Sequence, residues 1–147
     1  MIVIKLKCSK EIREKFKKHK IDKKKLENYL MFITNNLVPT RKWWNYEIVV
    51  KGCKGHDSQY FWGEDEIEVA TRCHECTSAK ERRAFFLKSL VHEYRHWVQS
   101  QVQGISERHI NYTEKDVDNR TDNYLKNKLE LECVEWEALI ERFIDLV

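Results

Sequence analysis

The first residues alternate, with Ile2, Val3 and Ile4 leading into Lys5 and Leu6, which predicts a β-strand at the start of the chain. The period then lengthens. Ser9 can cap a short helix through His19, buried through Ile12 and Phe16, and Asp22 can cap a longer one through Leu37. Leu26, Tyr29, Leu30, Ile33 and Leu37 give that second helix one apolar face, and Pro39 ends it. Residues 44–50 read as a strand and 52–57 as a turn. Residues 59–62 and 67–70 read as further strands around a turn at 63–65. A helical pattern follows from about 78 to 103, where Gly104 stops it. After a polar connection comes a last helix, clearest over 129–143, with an apolar stripe through Leu129, Cys133, Trp136, Ile140 and Phe143. The pattern predicts one α+β domain over 1–147. Its parts are a basic helical segment (1–40), strands of a small antiparallel or mixed sheet (43–71), a long helix (78–103) and a glutamate-bearing C-terminal helix (116–147).

The long helix carries the chemistry. His92, Glu93, Tyr94, Arg95 and His96 form an HExxH motif inside a stretch, 84–99, that has neither Gly nor Pro. Residues four apart on a helix lie one turn apart on one face, so both imidazoles can reach a single metal ion. Glu93 projects beside them, where a carboxylate can take a proton from metal-bound water. Phe85, Ser89, His92, His96 and Gln99 fall along one side, with Phe86, Leu90 and Trp97 adjoining at helical spacing. The motif thus borders an apolar stripe, as expected where a buried helix meets a cleft.

A tetrahedral catalytic zinc site usually has a third protein ligand. The extended pattern HExxHxxGxxH is excluded, because Gln99 and Val102 stand where Gly and His would be required. Candidates further on are His109, Asp116, Asp118, Asp122 and the glutamates of the last helix. Glu130 and Glu132 border its apolar stripe on opposite flanks, whereas Glu135, Glu137 and Glu141 point further toward solvent. Periodicity alone does not separate Glu130 from Glu132.

HExxH at 92–96, followed by Trp97, Val98 and Gln99 and then by the stretch 124–133, resembles the short zincin-type, gluzincin-like metallopeptidases common in phages and mobile elements. More distantly it is similar to ImmA/IrrE-type regulator-cleaving peptidases. The resemblance covers roughly 67–143. It implies a zincin-like fold, in which the last helix crosses the cleft and its first Glu supplies the third ligand. That role falls on Glu130, with Cys133 at a small position and Trp136 at an aromatic one. Lys128, where Pro is usual, and Cys133, where Ala is usual, depart from the pattern. An edge strand borders the cleft in such enzymes and aligns an extended peptide. Residues 67–71 are the candidate strand, with an interior position as the alternative. The implied activity is zinc-dependent hydrolysis of peptide bonds in a protein or peptide substrate by a zinc-activated water, with Glu93 as general base. Tyr124, Tyr112 and His109 are available to stabilise the oxyanion. The alternative is a catalytically inactive, zinc-stabilised binding protein.

Composition adds bounds. Five cysteines, an odd number, argue against a complete disulfide framework and for a reducing compartment. Cys53 and His56, then Cys73 and Cys76, have the spacing of paired knuckles that can close around a second, structural zinc; loop cysteines that stay reduced are the alternative, with a redox CxxC at Cys73 and Cys76 behind both because no thioredoxin-like βαβ setting surrounds it. No apolar run reaches bilayer length and the opening residues do not read as a secretory signal. A soluble, cytoplasmic protein without a membrane partner is expected, in the host cell if phage-encoded. Net charge is only +3 but unevenly spread: residues 5–25 hold eleven Lys or Arg against Glu11, Glu14 and Asp22. Such a run forms the solvated face of a helix or meets an anionic partner such as nucleic acid.

Overall fold

The computed structural model describes residues 1–39, 43–53, 57–107 and 120–147, the side chains of 120–127 excepted. The order of elements is β1 (Ile2–Cys8), α1 (Lys10–Lys18), α2 (Lys23–Leu37), β2 (Trp44–Cys53), β3 (Gln59–Tyr60), β4 (Glu66–Ala70), α3 (Ala79–Trp97) and α4 (Arg120–Arg142). Among the described residues this makes an α+β architecture with four α-helices and one mixed four-stranded sheet, ordered β1-β2-β4-β3.

β1 pairs parallel with β2, from Ile2 opposite Trp44 to Cys8 opposite Val50. β2 pairs parallel with β4, and β3 closes the far side antiparallel, with Tyr60 opposite Ile67. Alternation drives the burial: Ile2, Ile4 and Leu6 are buried while Lys5 and Lys7 face solvent. The second strand outruns its prediction. Gly52 and Cys53 stay in register with Val69 and Ala70, so they belong to the strand and not to the turn expected over 52–57. The strand expected over 59–62 shortens to two residues. β4, the candidate cleft-edge strand, instead lies inside the sheet between β2 and β3, and Ser58 Oγ accepts a 2.8 Å bond from the Ala70 amide.

An edge strand exposes unpaired backbone groups, and α2 supplies partners for those of β1. Asn35 accepts from the Ile2 amide at 2.7 Å and donates to the Ile2 carbonyl at 3.0 Å, while buried Glu27 accepts from the Leu6 amide at 2.7 Å. The two caps read from sequence are present, Ser9 and Asp22 accepting from the amides of Ile12 and Lys25, and Ser78 caps the third helix by accepting from Glu81.

α3 packs on β4 through Phe86, Leu87, Leu90, Val91, Tyr94 and Trp97, and α4 lies along its other side. The buried stripe of α4 is Leu129, Cys133, Trp136 and Ile140; Phe143 is partly exposed. The motif helix does not run on as α-helix to 103. It converts after Trp97 to a π-helical turn, Val98–Val102, and Gly104 then adopts a positive φ of 69°. α4 runs from Arg120 to Arg142, within the span 116–147 expected for the C-terminal helix.

Candidate metal centre

Three buried contacts fix the motif helix. The Tyr94 hydroxyl meets Thr34 Oγ1 at 2.5 Å, Trp97 Nε1 donates to Asp65 Oδ1 at 2.8 Å, and Tyr94 and Trp97 stack at 5.5 Å. With that side of α3 locked into the core, His92 and His96 face α4, their ring centroids 5.0 Å apart.

Both outer nitrogens converge on one carboxylate. His92 Nε2 lies 3.1 Å from Glu130 Oε2, and His96 Nε2 lies 3.2 Å from Glu130 Oε1. Both inner nitrogens are held from behind. His92 Nδ1 is 3.1 Å from Glu137 Oε2, and His96 Nδ1 is 2.9 Å from Gln99 Oε1. The orientation of Gln99 follows from its other end, where the amide nitrogen donates to the Leu129 carbonyl at 2.9 Å and reaches Glu132 at 3.4 Å. Its oxygen therefore faces His96 and accepts from Nδ1–H, so that Nε2 is the nitrogen turned to Glu130. Two imidazole Nε2 atoms and a carboxylate meet in one region, which positive charge there, a proton or a metal ion, stabilises.

The titration of the groups expresses that demand. Burial opposes a proton on His92, but the Glu130 and Glu137 carboxylates outweigh it and raise the group to about 10. Hydrogen bonds from His92 and then His96 hold Glu130 well below the usual carboxylate range. Glu93 is buried, and burial pushes its carboxyl up to about 7, reinforced by Glu130 and Glu137 and opposed by the two histidines. The Glu130 side chain is 43% exposed against 11% for His96, so the centre opens to solvent beside α4.

A group that can hold a metal ion is present: one ligand atom from each of His92, His96 and Cys133 lies within 4.8 Å of the others. Glu130 and Cys133 thus compete as third donor. Cys133 Sγ is 3.5 Å from His96 Nδ1, the nitrogen already facing Gln99. Its thiol is fully buried and raised far above the ordinary range by burial and then by Glu130. Glu130 meets the two Nε2 atoms, which face away from Gln99 and Glu137, and is the readily ionised of the two.

Glu132, the alternative from sequence, points elsewhere. It forms a very short ion pair with buried Arg95, whose guanidinium also donates to Gln103 at 2.7 Å and lies 4.7 Å from the Trp136 ring. Glu137 had been assigned to solvent and is instead the partner of His92. The signal was in the spacing: Glu130 and Glu137 are seven residues apart, two turns of one face. Trp62 was missed too; its ring lies 6.2 Å from His96 and its Nε1 donates to the Ile105 carbonyl.

The paired-knuckle arrangement is not assembled. Cys73 and Cys76 are joined in a disulfide, so neither offers a thiolate, and Cys53 is free. This also departs from the expectation that the cysteines are reduced. His56, His109, Tyr112, Asp116 and Asp118 lie outside the described residues, as do the side chains of Asp122 and Tyr124. Among the described residues no helix is long and apolar enough to cross a membrane. Comparison of the chain with known protein families, curated proteins and solved structures finds no match.

Proposed function

We propose that the protein is a zinc-dependent metallopeptidase of the zincin type acting on a protein or peptide substrate. The observation that carries this reading is the convergence of His92 Nε2, His96 Nε2 and the Glu130 carboxylate from two helices, with buried Glu93 on the same turn as the histidines. Two nitrogen donors and one carboxylate, with outer-face access, are the donor set of a catalytic zinc rather than a closed structural one. When bound, zinc supplies Lewis acidity and makes water a stronger acid. His92, His96 and Glu130 hold it; Glu137 and Gln99 orient the two rings. Glu93 accepts a proton from the water that attacks the scissile carbonyl and returns it to the leaving nitrogen.

The decisive variant is Glu93→Gln, which keeps the side-chain volume and removes the base. Zinc stoichiometry should be unchanged, while cleavage of a mixed peptide library should fall by about a thousandfold. Undiminished cleavage would remove Glu93 from this role. A wild-type protein that binds zinc through these residues yet cleaves nothing would favour the inactive, zinc-stabilised binding protein instead.

A further inference from the structure

The metal centre makes no use of the basic run at 5–25, yet the fold gathers part of that run with cations from elsewhere. Where α1 ends, a cavity of about 760 Å³ is lined by Lys18, His19 and Lys20 and, from α3, by Lys80 and Arg83. A narrow crevice shares Lys18 and His19 and adds Lys15, Arg72 and Arg82. The charges come from three separate stretches: α1 and its exit, the loop behind β4, and the start of α3.

Arg83 is already engaged as a brace. Its Nε donates to the His19 carbonyl at 2.9 Å, and its two terminal nitrogens donate to Ile144 and Val147 at 2.8 and 3.1 Å. The other cations, Lys15, Lys18, Lys20, Arg72, Lys80 and Arg82, form no ion pair among the described residues. The acids on the cavity wall are Glu141 and Asp145, and Glu141 is within 3.7 Å of Lys88. Lys20 stands at a φ of 54°, where glycine would be unstrained, so a charged side chain occupies a position that backbone ease would give to another residue. His19 registers the field around it: its imidazole is held below its ordinary value, by burial first and then by Lys15, Lys18, Arg83 and Arg82.

The geometry points to a phosphate-binding site: this cavity takes up the phosphate groups of a polyanionic ligand, supplied either by a free oligophosphate or by a nucleic-acid backbone. Its volume is that of a small-ligand pocket, and like charges crowded into one concavity repel until a polyanion neutralises them. Phosphates fit better than protein carboxylates because they bring several charges into a small volume that Lys18, Lys20 and Lys80 surround, and the planar forks of Arg72 and Arg82 in the adjoining crevice suit the oxygens of a polyanion that extends past the cavity. Lys80 and His92 belong to one helix, about 18 Å apart along its axis. The site is therefore separate from the metal centre and does not depend on its chemistry.

The test titrates the full-length protein with a fluorescent single-stranded oligonucleotide, using tripolyphosphate and poly-glutamate as competitors. Binding should be displaced by tripolyphosphate and weaken with salt. The Lys18→Gln, Lys80→Gln double variant should lose roughly tenfold in affinity, with a salt slope shallower by about 1.4, or about 0.7 per charge removed on a single strand. Arg82→Gln should lose affinity in the same direction, Lys5→Gln should not, and unchanged thermal midpoints would show that each variant folds. Tripolyphosphate binding as tightly as the oligonucleotide identifies a free oligophosphate as the source; much tighter oligonucleotide binding identifies the backbone. Three results would overturn the site: no binding of either phosphate probe at low salt, equal weakening by Lys5→Gln, or displacement by poly-glutamate as effective as by tripolyphosphate.

Discussion

The two ends of α3 are built on opposite electrostatic plans. Toward its C-terminus, His92, His96, Arg95 and Gln99 are closely surrounded, and each has a partner from α4 or the π-helical turn. Carboxylates are in surplus there, and they draw positive charge inward. Toward its N-terminus, Lys80 and Arg82 join other cations around an open cavity. The first arrangement is costly to disturb because every group removed leaves a buried partner behind. The second tolerates change, since exposed charges are screened by water and salt. One helix therefore carries a rigid, interlocked end and a loosely held, interchangeable one.

Arg95→Met should break the first end most severely. It strands Glu132 and removes the cation lying over Trp136, so urea unfolding should show a loss of about 3 kcal/mol. Lys80→Gln at the other end should change the same measurement by less than about 0.5 kcal/mol. Next in size is metal affinity, read by competition with a chelator. Glu130→Gln should weaken zinc binding by more than about a hundredfold, beyond the loss expected for an outer partner. Cys133→Ala should leave it nearly unchanged, and the reverse order would make Cys133 the third donor. Glu137→Gln should fall between, at about 10- to 100-fold, because it orients His92 without touching the ion.

The smallest effect belongs to His19, at the basic end. Its folded-state value lies below its unfolded one, so the unfolded chain binds the proton more readily. Its contribution to stability is present above about 6.5 and is lost as pH falls through the lower folded value. His19→Gln should accordingly flatten the decline of the urea midpoint with falling pH. An unchanged slope would mean that neither burial nor the neighbouring cations hold His19 below its ordinary value.

Much of this layout was legible in the sequence, because local rules set it. Alternation marked β1, and Ser9 and Asp22 announced two helix starts through capping chemistry that acts over three residues. The four-residue step from His92 to His96 fixed their shared face in the same way. What could not be read depended on partners distant along the chain. Glu130 and Glu132 became distinguishable only once α4 lay beside α3, bringing one to the histidines and the other to Arg95. Glu137 looked solvent-facing because a single apolar stripe was taken as the only buried side of α4, while the flank packed against α3 is polar. The π-helical turn left no mark either: Val98, Gln99, Ser100, Gln101 and Val102 suit an ordinary helix, and the wider turn reflects packing with Trp62, Gly63 and α4. The Cys73–Cys76 pair had two chemical fates at identical spacing, and spacing does not choose between them.

The side chains of Asn35 and Glu27 that occupy the outer margin of β1 also give the sheet a direction. A foreign extended segment seeking main-chain partners finds that margin obstructed, whereas no such guard is seen among the described residues at the opposite margin, Gln59 and Tyr60. Trp62 follows two residues later, against His96. The sheet is thus guarded on the side away from the histidines and not, among the described residues, on the side that leads to them.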